Sequence, residues 1–94
     1  MIMTPADIAA AEAIRFPDAG IRKIVCAVAE ASGVDVDHIL SATRVKSVVR
    51  ARDIVCYIAH REGYSMTMIG QCIGGRDHGT IGTAITREKA RREE

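Results

Sequence analysis

The stretch that most constrains the fold is SMTMIGQCIGGRDHGTIGTAI, residues 65 to 85. It places two short amphipathic segments on either side of the Gly74-Gly75 pair. Ser65 can cap the first segment as a helix. The apolar residues of that segment recur at helical spacing: Met66, Ile69 and Ile73. The glycines allow the backbone to leave one helix and turn into the next.

The second segment opens on Arg76, Asp77 and His78, and an aspartate suits the positive end of a helix. Its apolar residues then share one face: Ile81, Ala84 and Ile85. Helix, glycine turn and helix together predict a helix-turn-helix, whose second helix can enter the DNA major groove. Asp77, His78 and Thr80 would stand at the start of that helix, where base-reading side chains belong.

The remaining segments predict an all-α domain of five to six helices, spanning residues 1 to 94 as a single unit. Residues 4 to 15 read as an additional N-terminal helix, within an arm that ends near residue 19. The ranges 21 to 32 and 48 to 62 read as two long helices, with a short turn of helix at 36 to 40. The charged segment 86 to 94 is expected to extend the last helix into solvent.

The helix at 48 to 62 is expected to be capped by Ser47. Its predicted buried face has five members: Val48, Ala51, Val55, Ile58 and Ala59. Its predicted polar face has four: Arg50, Asp53, Tyr57 and His60. Before this helix, residues 41 to 46 form a basic loop.

Charge is distributed unevenly although the net charge is only +1. Residues 1 to 40 carry three basic and six acidic groups, and residues 41 to 94 carry ten basic and six acidic groups. The stretch from 43 to 52 holds four positive charges and no negative one. This asymmetry favours an anionic partner on one side, although a solvated basic loop is the alternative. Only three residues are aromatic, which argues against binding of single strands by base stacking.

The three cysteines, Cys26, Cys56 and Cys72, lie in apolar helical patterns and are expected to be buried thiols in a reducing cytoplasm. A zinc site using Cys72 and His78 would lack companions at the usual ligand spacing, so no metal or other cofactor is expected. No apolar run reaches the length of a membrane span, and a cytoplasmic protein without membrane contact is expected. The Asp77-His78 pair lacks a nucleophile at matching spacing, so the chain is not expected to be an enzyme.

The string from Gly74 to Ile81, preceded by Ser65 and Ile69-Gly70, resembles the hallmark of the C-terminal DNA-binding domain of bacterial DnaA replication initiators. A second family element, a basic stretch entering a long helix, matches Arg44, Lys46, Arg50 and Arg52. The resemblance covers about residues 21 to 88. It implies a helix-turn-helix that binds double-stranded DNA at initiator-box-like sites.

The resemblance also implies a set of DNA-contacting residues. Arg44 matches an arginine that reaches into the minor groove, and Lys46, Arg50, Arg52 and Arg76 match positions that clamp the backbone. The full implied set is Arg44, Lys46, Arg50, Arg52, Thr67, Arg76, Asp77, His78, Gly79, Thr80 and Ala84. From their chemistry, Asp77 and His78 could hydrogen-bond base edges and the Thr80 methyl could touch a thymine. Asp77 could also serve only as a helix cap.

Two residues depart from the family pattern. Gly79 replaces a hydroxyl-bearing residue and, with Gly82, weakens the recognition helix by roughly 1 kcal/mol per glycine. Asp53 stands where the family often carries a glutamine. Its carboxylate could repel phosphate, or it could pair with Arg50 or Arg52.

The chain contains no phosphate-binding loop of the G-x-x-x-x-G-K-[ST] type, so no nucleotide partner is expected. We therefore expect a detached DNA-reading head that regulates replication initiation or transcription. The alternative is a protein-interaction module whose degenerate recognition helix no longer reads DNA. The N-terminal arm is a possible contact for a protein partner.

Overall fold

The computed structural model describes residues 18 to 93 as five α-helices with no strand among them. They are α1 (Ala19–Ser32), α2 (Val36–Leu40), α3 (Lys46–Arg61), α4 (Met66–Cys72) and α5 (His78–Arg92). The all-α prediction and the helix-turn-helix outline are confirmed. The helix predicted at 4 to 15 lies outside the described residues.

The core lies around α3, which packs on α1 and on α5. All five helices contribute apolar side chains to one buried cluster, and Ile58, predicted to lie on the buried face of α3, is only partly buried at its edge. The principal members are Ile21, Val25, Ile39, Ala51, Val55, Ala59, Ile69, Ile73, Ile81 and Ile85. Because these are aliphatic side chains of similar size, the small domain excludes water from its centre with little aromatic surface.

Side-chain caps fix where three of the helices begin. Asp18 accepts from the backbone N–H of Gly20 at 2.7 Å at the start of α1. Ser65 accepts from Met68 N–H at 3.1 Å at the start of α4, as the sequence predicts. The start of α3 differs from the prediction, because the helix begins at Lys46 and Ser47 lies within its first turn. Val45 occupies the capping position and makes no side-chain cap bond.

Asp53 is wrongly predicted to lie on the polar face of α3. It is buried, with its carboxylate turned towards the C-terminal half of α5. Arg87 donates to both carboxylate oxygens, at 2.9 and 3.0 Å, and Arg91 donates to one at 3.0 Å. The alternatives of pairing with Arg50 or Arg52 are therefore wrong. Because the negative charge is enclosed by two guanidinium groups, it does not face outward where it could repel phosphate.

The charged segment after Ile85 extends the last helix to Arg92 with most of its residues exposed, as predicted, but one side of it contacts α3. Glu88 is only 3% exposed and pairs with Arg91 at 3.2 Å and with Arg92 at 2.8 Å. The Arg92 guanidinium also lies 4.3 Å from the centre of the Tyr57 ring on α3. Four charged residues of the segment, Arg87, Glu88, Arg91 and Arg92, thus each contact an opposite charge or an aromatic face.

The cysteines divide into two kinds. Cys56 and Cys72 are buried as predicted, whereas Cys26 is exposed on α1, so the prediction for Cys26 is wrong. Burial raises the pKa of the Cys56 thiol to about 12. This thiol is therefore protonated and unreactive at neutral pH.

The pairing of the buried Asp53 carboxylate with two arginines can be tested by substitution. We expect Asp53→Asn to lower the free energy of unfolding by about 2 to 4 kcal/mol, because two guanidinium groups lose the charge that they enclose. Urea denaturation followed by circular dichroism measures this loss. Glu30→Gln, at an exposed site on α1, is the matched control and should change stability by less than about 0.5 kcal/mol. An equal effect of the two substitutions would show that the Asp53 pairs contribute little.

Candidate nucleic-acid interface

The turn between α4 and α5 is built from glycines that no other residue could replace without strain. Gly74 and Gly75 both have φ of 71°, in the left-handed region. Arg76 N–H donates to the Gly70 carbonyl at 2.9 Å, which closes the turn back on α4. A β-carbon on Gly70 would overlap the Arg76 carbonyl oxygen. The sequence therefore sets the angle at which α5 leaves the turn.

At the end of the turn, Asp77 caps α5. Its carboxylate accepts from Thr80 N–H at 2.8 Å. The bond from this N–H, followed by the one from the Thr80 hydroxyl, lowers the pKa of Asp77. The contribution of the cap to stability is therefore complete above the ordinary pKa of an aspartate and is lost as the pH falls through the lowered value. Asp77, His78, Gly79 and Thr80 are all exposed, so the first turn of α5 presents its side chains to a partner.

The basic loop, residues 41 to 45, is held from beneath by Arg52 of α3. The Arg52 Nε donates to the Ile39 carbonyl at 2.9 Å. Its Nη2 donates to the carbonyls of Ser41 at 2.7 Å and Thr43 at 3.3 Å. Burial, and after it the charge of Arg76, lowers the pKa of Arg52. With 8% of its surface exposed, Arg52 is a buried residue that supports the loop.

Arg76 joins the same loop to the helix-turn-helix. Its Nη1 donates to the Ile73 carbonyl at 2.7 Å, within the turn. Its Nη2 donates to the Ser41 carbonyl at 2.6 Å. The Ser41 carbonyl oxygen therefore accepts from Arg52 and Arg76 at once. Gly74 lies close to the same loop, since a β-carbon there would come within 2.5 Å of the Leu40 carbonyl oxygen.

The two motifs predicted from the sequence are thus adjacent in the fold. Most members of the predicted set lie exposed or partly exposed: Arg44, Lys46, Arg50, Thr67, Arg76, Asp77, His78, Gly79 and Thr80. Two members do not. Arg52 is buried under the loop, and Ala84 is 4% exposed within the core, as its helical spacing also predicts.

The sequence did not predict two sets of contacts that hold the site together. The Ser41 carbonyl receives both arginines, and backbone acceptors carry no signature in the sequence. Arg87 and Arg91 enclose Asp53 from more than thirty residues away. Arg87 and Arg91 are four residues apart and adjoin the apolar stripe of α5. This spacing was the signal in the sequence that both side chains lie on the face of the helix turned towards α3.

Residues 18 to 93 contain neither a candidate metal-binding cluster nor a helix suited to crossing a membrane. No group of three or more histidine, cysteine or acidic side chains is placed to hold a metal ion in this part of the chain. Among the helices of the same range, none combines the length and apolar character that crossing a membrane requires.

An exposed helix start after a glycine turn, with a cationic loop tied beside it, defines a DNA-binding helix-turn-helix domain. Comparison with known families agrees. Residues 21 to 87 match the family described as the bacterial dnaA protein helix-turn-helix. The chain belongs to this family of DNA-binding domains from replication initiators.

Individual relatives carry the same name, chromosomal replication initiator protein DnaA. The protein of Ureaplasma parvum is 38% identical over 66 residues, which cover 69% of this chain and 14% of the relative. Those of Anaplasma marginale and Thermodesulfovibrio yellowstonii are each 37% identical, over 62% and 65% of this chain and 12% and 14% of the relatives. The chain thus spans about one seventh of the length of these relatives. No solved structure matches it.

The glycines of the interface differ in what they tolerate. Gly70→Ala should lower the free energy of unfolding by about 2 to 4 kcal/mol, because the new methyl overlaps the Arg76 carbonyl. Gly82→Ala should raise it by about 0.5 to 1 kcal/mol, because a β-carbon there meets only the Met66 sulfur at 3.6 Å. Chemical denaturation of both variants measures the difference in sign. Destabilisation by both substitutions would mean that the surroundings of Gly82 on α5 are packed too tightly for a methyl group.

Proposed function

We propose that this chain binds double-stranded DNA sequence-specifically, at sites resembling the boxes of replication initiators. The first turn of α5 would enter the major groove, and the basic loop would lie on the sugar-phosphate backbone. The observation that carries the proposal is the pair of bonds from Arg52 and Arg76 to the Ser41 carbonyl. They hold the cationic loop beside the helix-turn-helix, so one duplex can meet both.

The exposed residues carry groups suited to phosphate contacts and to base-edge contacts. Arg44, Lys46 and Arg50 are exposed cations around the loop, and phosphate contacts of this kind supply affinity without reading sequence. His78 and Thr80 lie in the exposed first turn of α5, where a ring nitrogen and a methyl group can meet base edges. Asp77 Oδ1 accepts the cap bond from Thr80 N–H, and a carboxylate has further lone pairs that could accept from a cytosine amino group.

Arg52 and Arg76 take a different part in this proposal. Arg52 gives two of its nitrogens to carbonyls and is buried, so it positions the loop instead of clamping phosphate. Arg76 is partly exposed and its guanidinium already bridges the turn and the loop. It can add its charge to the interface while keeping both bonds, since a guanidinium carries five N–H donors.

The biological setting follows from the family and is part of the proposal. The relatives are named as replication initiators, and a chain that contains their DNA-binding domain would occupy initiator-type sites. It would act on bacterial chromosomal DNA in the cytoplasm and regulate replication initiation or transcription. Gly79 lacks a side chain, so the base preference at the position facing it should be weaker than in relatives with a hydroxyl there.

Salt dependence tests the assignment of the cations. With Arg44, Lys46, Arg50 and Arg76 near phosphates, the log–log slope of affinity against salt should be about −3 to −4. Lys46→Ala should weaken all duplexes alike and reduce the slope by about one unit. Arg52→Ala should weaken binding and lower stability together, because the loop loses its support. Fluorescence anisotropy at several salt concentrations separates these outcomes, and a flat wild-type slope would favour the protein-interaction alternative.

His78 tests base reading. Selection from random duplexes gives the preferred site, and a scrambled duplex of equal length gives the non-specific reference. His78→Ala should weaken binding to the preferred duplex by about 5- to 150-fold and leave the scrambled duplex nearly unchanged, since a base-edge contact contributes about 1 to 3 kcal/mol.

The matched control for this test is His60→Ala, at an exposed position on α3 remote in sequence from the turn. It should change neither affinity. An equal loss on both duplexes for His78→Ala would identify a phosphate or structural contact, and base reading at this position would be withdrawn.

A further inference from the structure

Val45 is exposed to solvent, and its side chain is not part of the buried core. Among residues 18 to 93 it is the one large apolar side chain that lies exposed, with 59% of its surface open to solvent. It stands in the basic loop between the exposed cations Arg44 and Lys46. Its neighbours therefore attract an anionic partner to the position where an apolar side chain is displayed.

Val45 is also unfavourable for the helix that it begins. It occupies the N-cap of α3 and its side chain makes no cap bond. Serine, threonine, aspartate and asparagine are strongly preferred at this position, and valine is among the poorest choices. The helices α1, α4 and α5 begin with a side-chain cap, whereas α2 and α3 make no such bond, and of these two only α3 has an apolar residue at the N-cap.

The backbone around Val45 is nevertheless ordered by its neighbours. Val45 N–H donates to the Thr43 hydroxyl at 3.4 Å, and its carbonyl accepts from Val49 N–H at 2.9 Å. Arg52 holds the Thr43 carbonyl from beneath at 3.3 Å. The side chain also borders a shallow groove of about 310 Å³, which Val34 and Val48 line as well. Val45 is therefore presented on a supported loop at the edge of an apolar surface.

We propose that Val45 is a DNA-contacting residue, which packs its isopropyl group on the deoxyribose surface of the duplex held by Arg44 and Lys46. Sugar faces are the apolar part of the DNA backbone, and they lie between the phosphates that the flanking cations attract. The contact adds affinity through removal of apolar surface from water and carries no charge. This inference rests on the proposed function and refines it at one residue.

Val45→Ser gives opposite expectations for stability and for binding. The serine hydroxyl supplies the missing cap, so the melting temperature should rise by a few degrees. The apolar contact is lost, so affinity for duplex DNA should fall about fivefold. Because no cation is removed, the slope of affinity against salt should stay at the wild-type value. A folding defect cannot produce this combination.

Two further variants complete the experiment on the whole 94-residue chain. Val45→Ile keeps an apolar side chain without a cap and should retain or improve binding, with an unchanged melting temperature. Ala27→Ser, at an exposed position on α1 outside the proposed interface, is the control and should leave affinity unchanged.

The outcomes distinguish the inference from the function on which it rests. A wild-type chain that binds duplex with a steep salt slope, together with Val45→Ser binding equally well, overturns the inference alone. The groove beside Val45 would then belong to a partner other than DNA. A wild-type chain that binds no duplex, or binds without salt dependence, overturns the proposed function itself.

Discussion

The interface depends on one backbone oxygen. The Ser41 carbonyl accepts from Arg52 at 2.7 Å and from Arg76 at 2.6 Å, and these residues belong to the long central helix and to the glycine turn. Through this atom, three segments that are far apart in the chain hold one relative position. The carbonyl offers two lone pairs, so both guanidinium groups can donate to it without competing for one site. Without these bonds the basic loop would be held between its two ends only by the longer bond from Arg52 to the Thr43 carbonyl, at 3.3 Å.

Three arginines of α5 also share their hydrogen-bond acceptors. Two guanidinium groups of α5 share the Asp53 carboxylate, and two donate to Glu88, one of them common to both. Charges that lie against the core are thereby satisfied, which a buried charge requires if it is not to destabilise the fold. The cations around the basic loop remain exposed. The fold thus divides its positive charge between groups that hold helices together and groups that are exposed to solvent, which we propose bind DNA.

Much of this arrangement was readable from the sequence, because helix periodicity and capping are local. The buried face with Ala51 and Val55 on α3 and the cap at Asp77 appear where the pattern places them. The errors concern charges whose partners are distant in the chain. Asp53 reads as a solvated carboxylate until α5 brings Arg87 beside it, and Arg52 reads as a surface cation until the loop folds over it. Val45 reads as part of a basic loop, and only its exposure distinguishes it.

We infer that Arg52 keeps the basic loop ordered in the free protein, in the absence of DNA. Backbone amide relaxation by NMR measures this in the free protein. We expect order parameters of about 0.8 for residues 41 to 45, close to those of a rigid backbone, and a fall below about 0.6 in Arg52→Gln with α5 unchanged. Wild-type values already below about 0.6 would contradict the claim, because the loop would then be mobile despite its bonds to the two arginines.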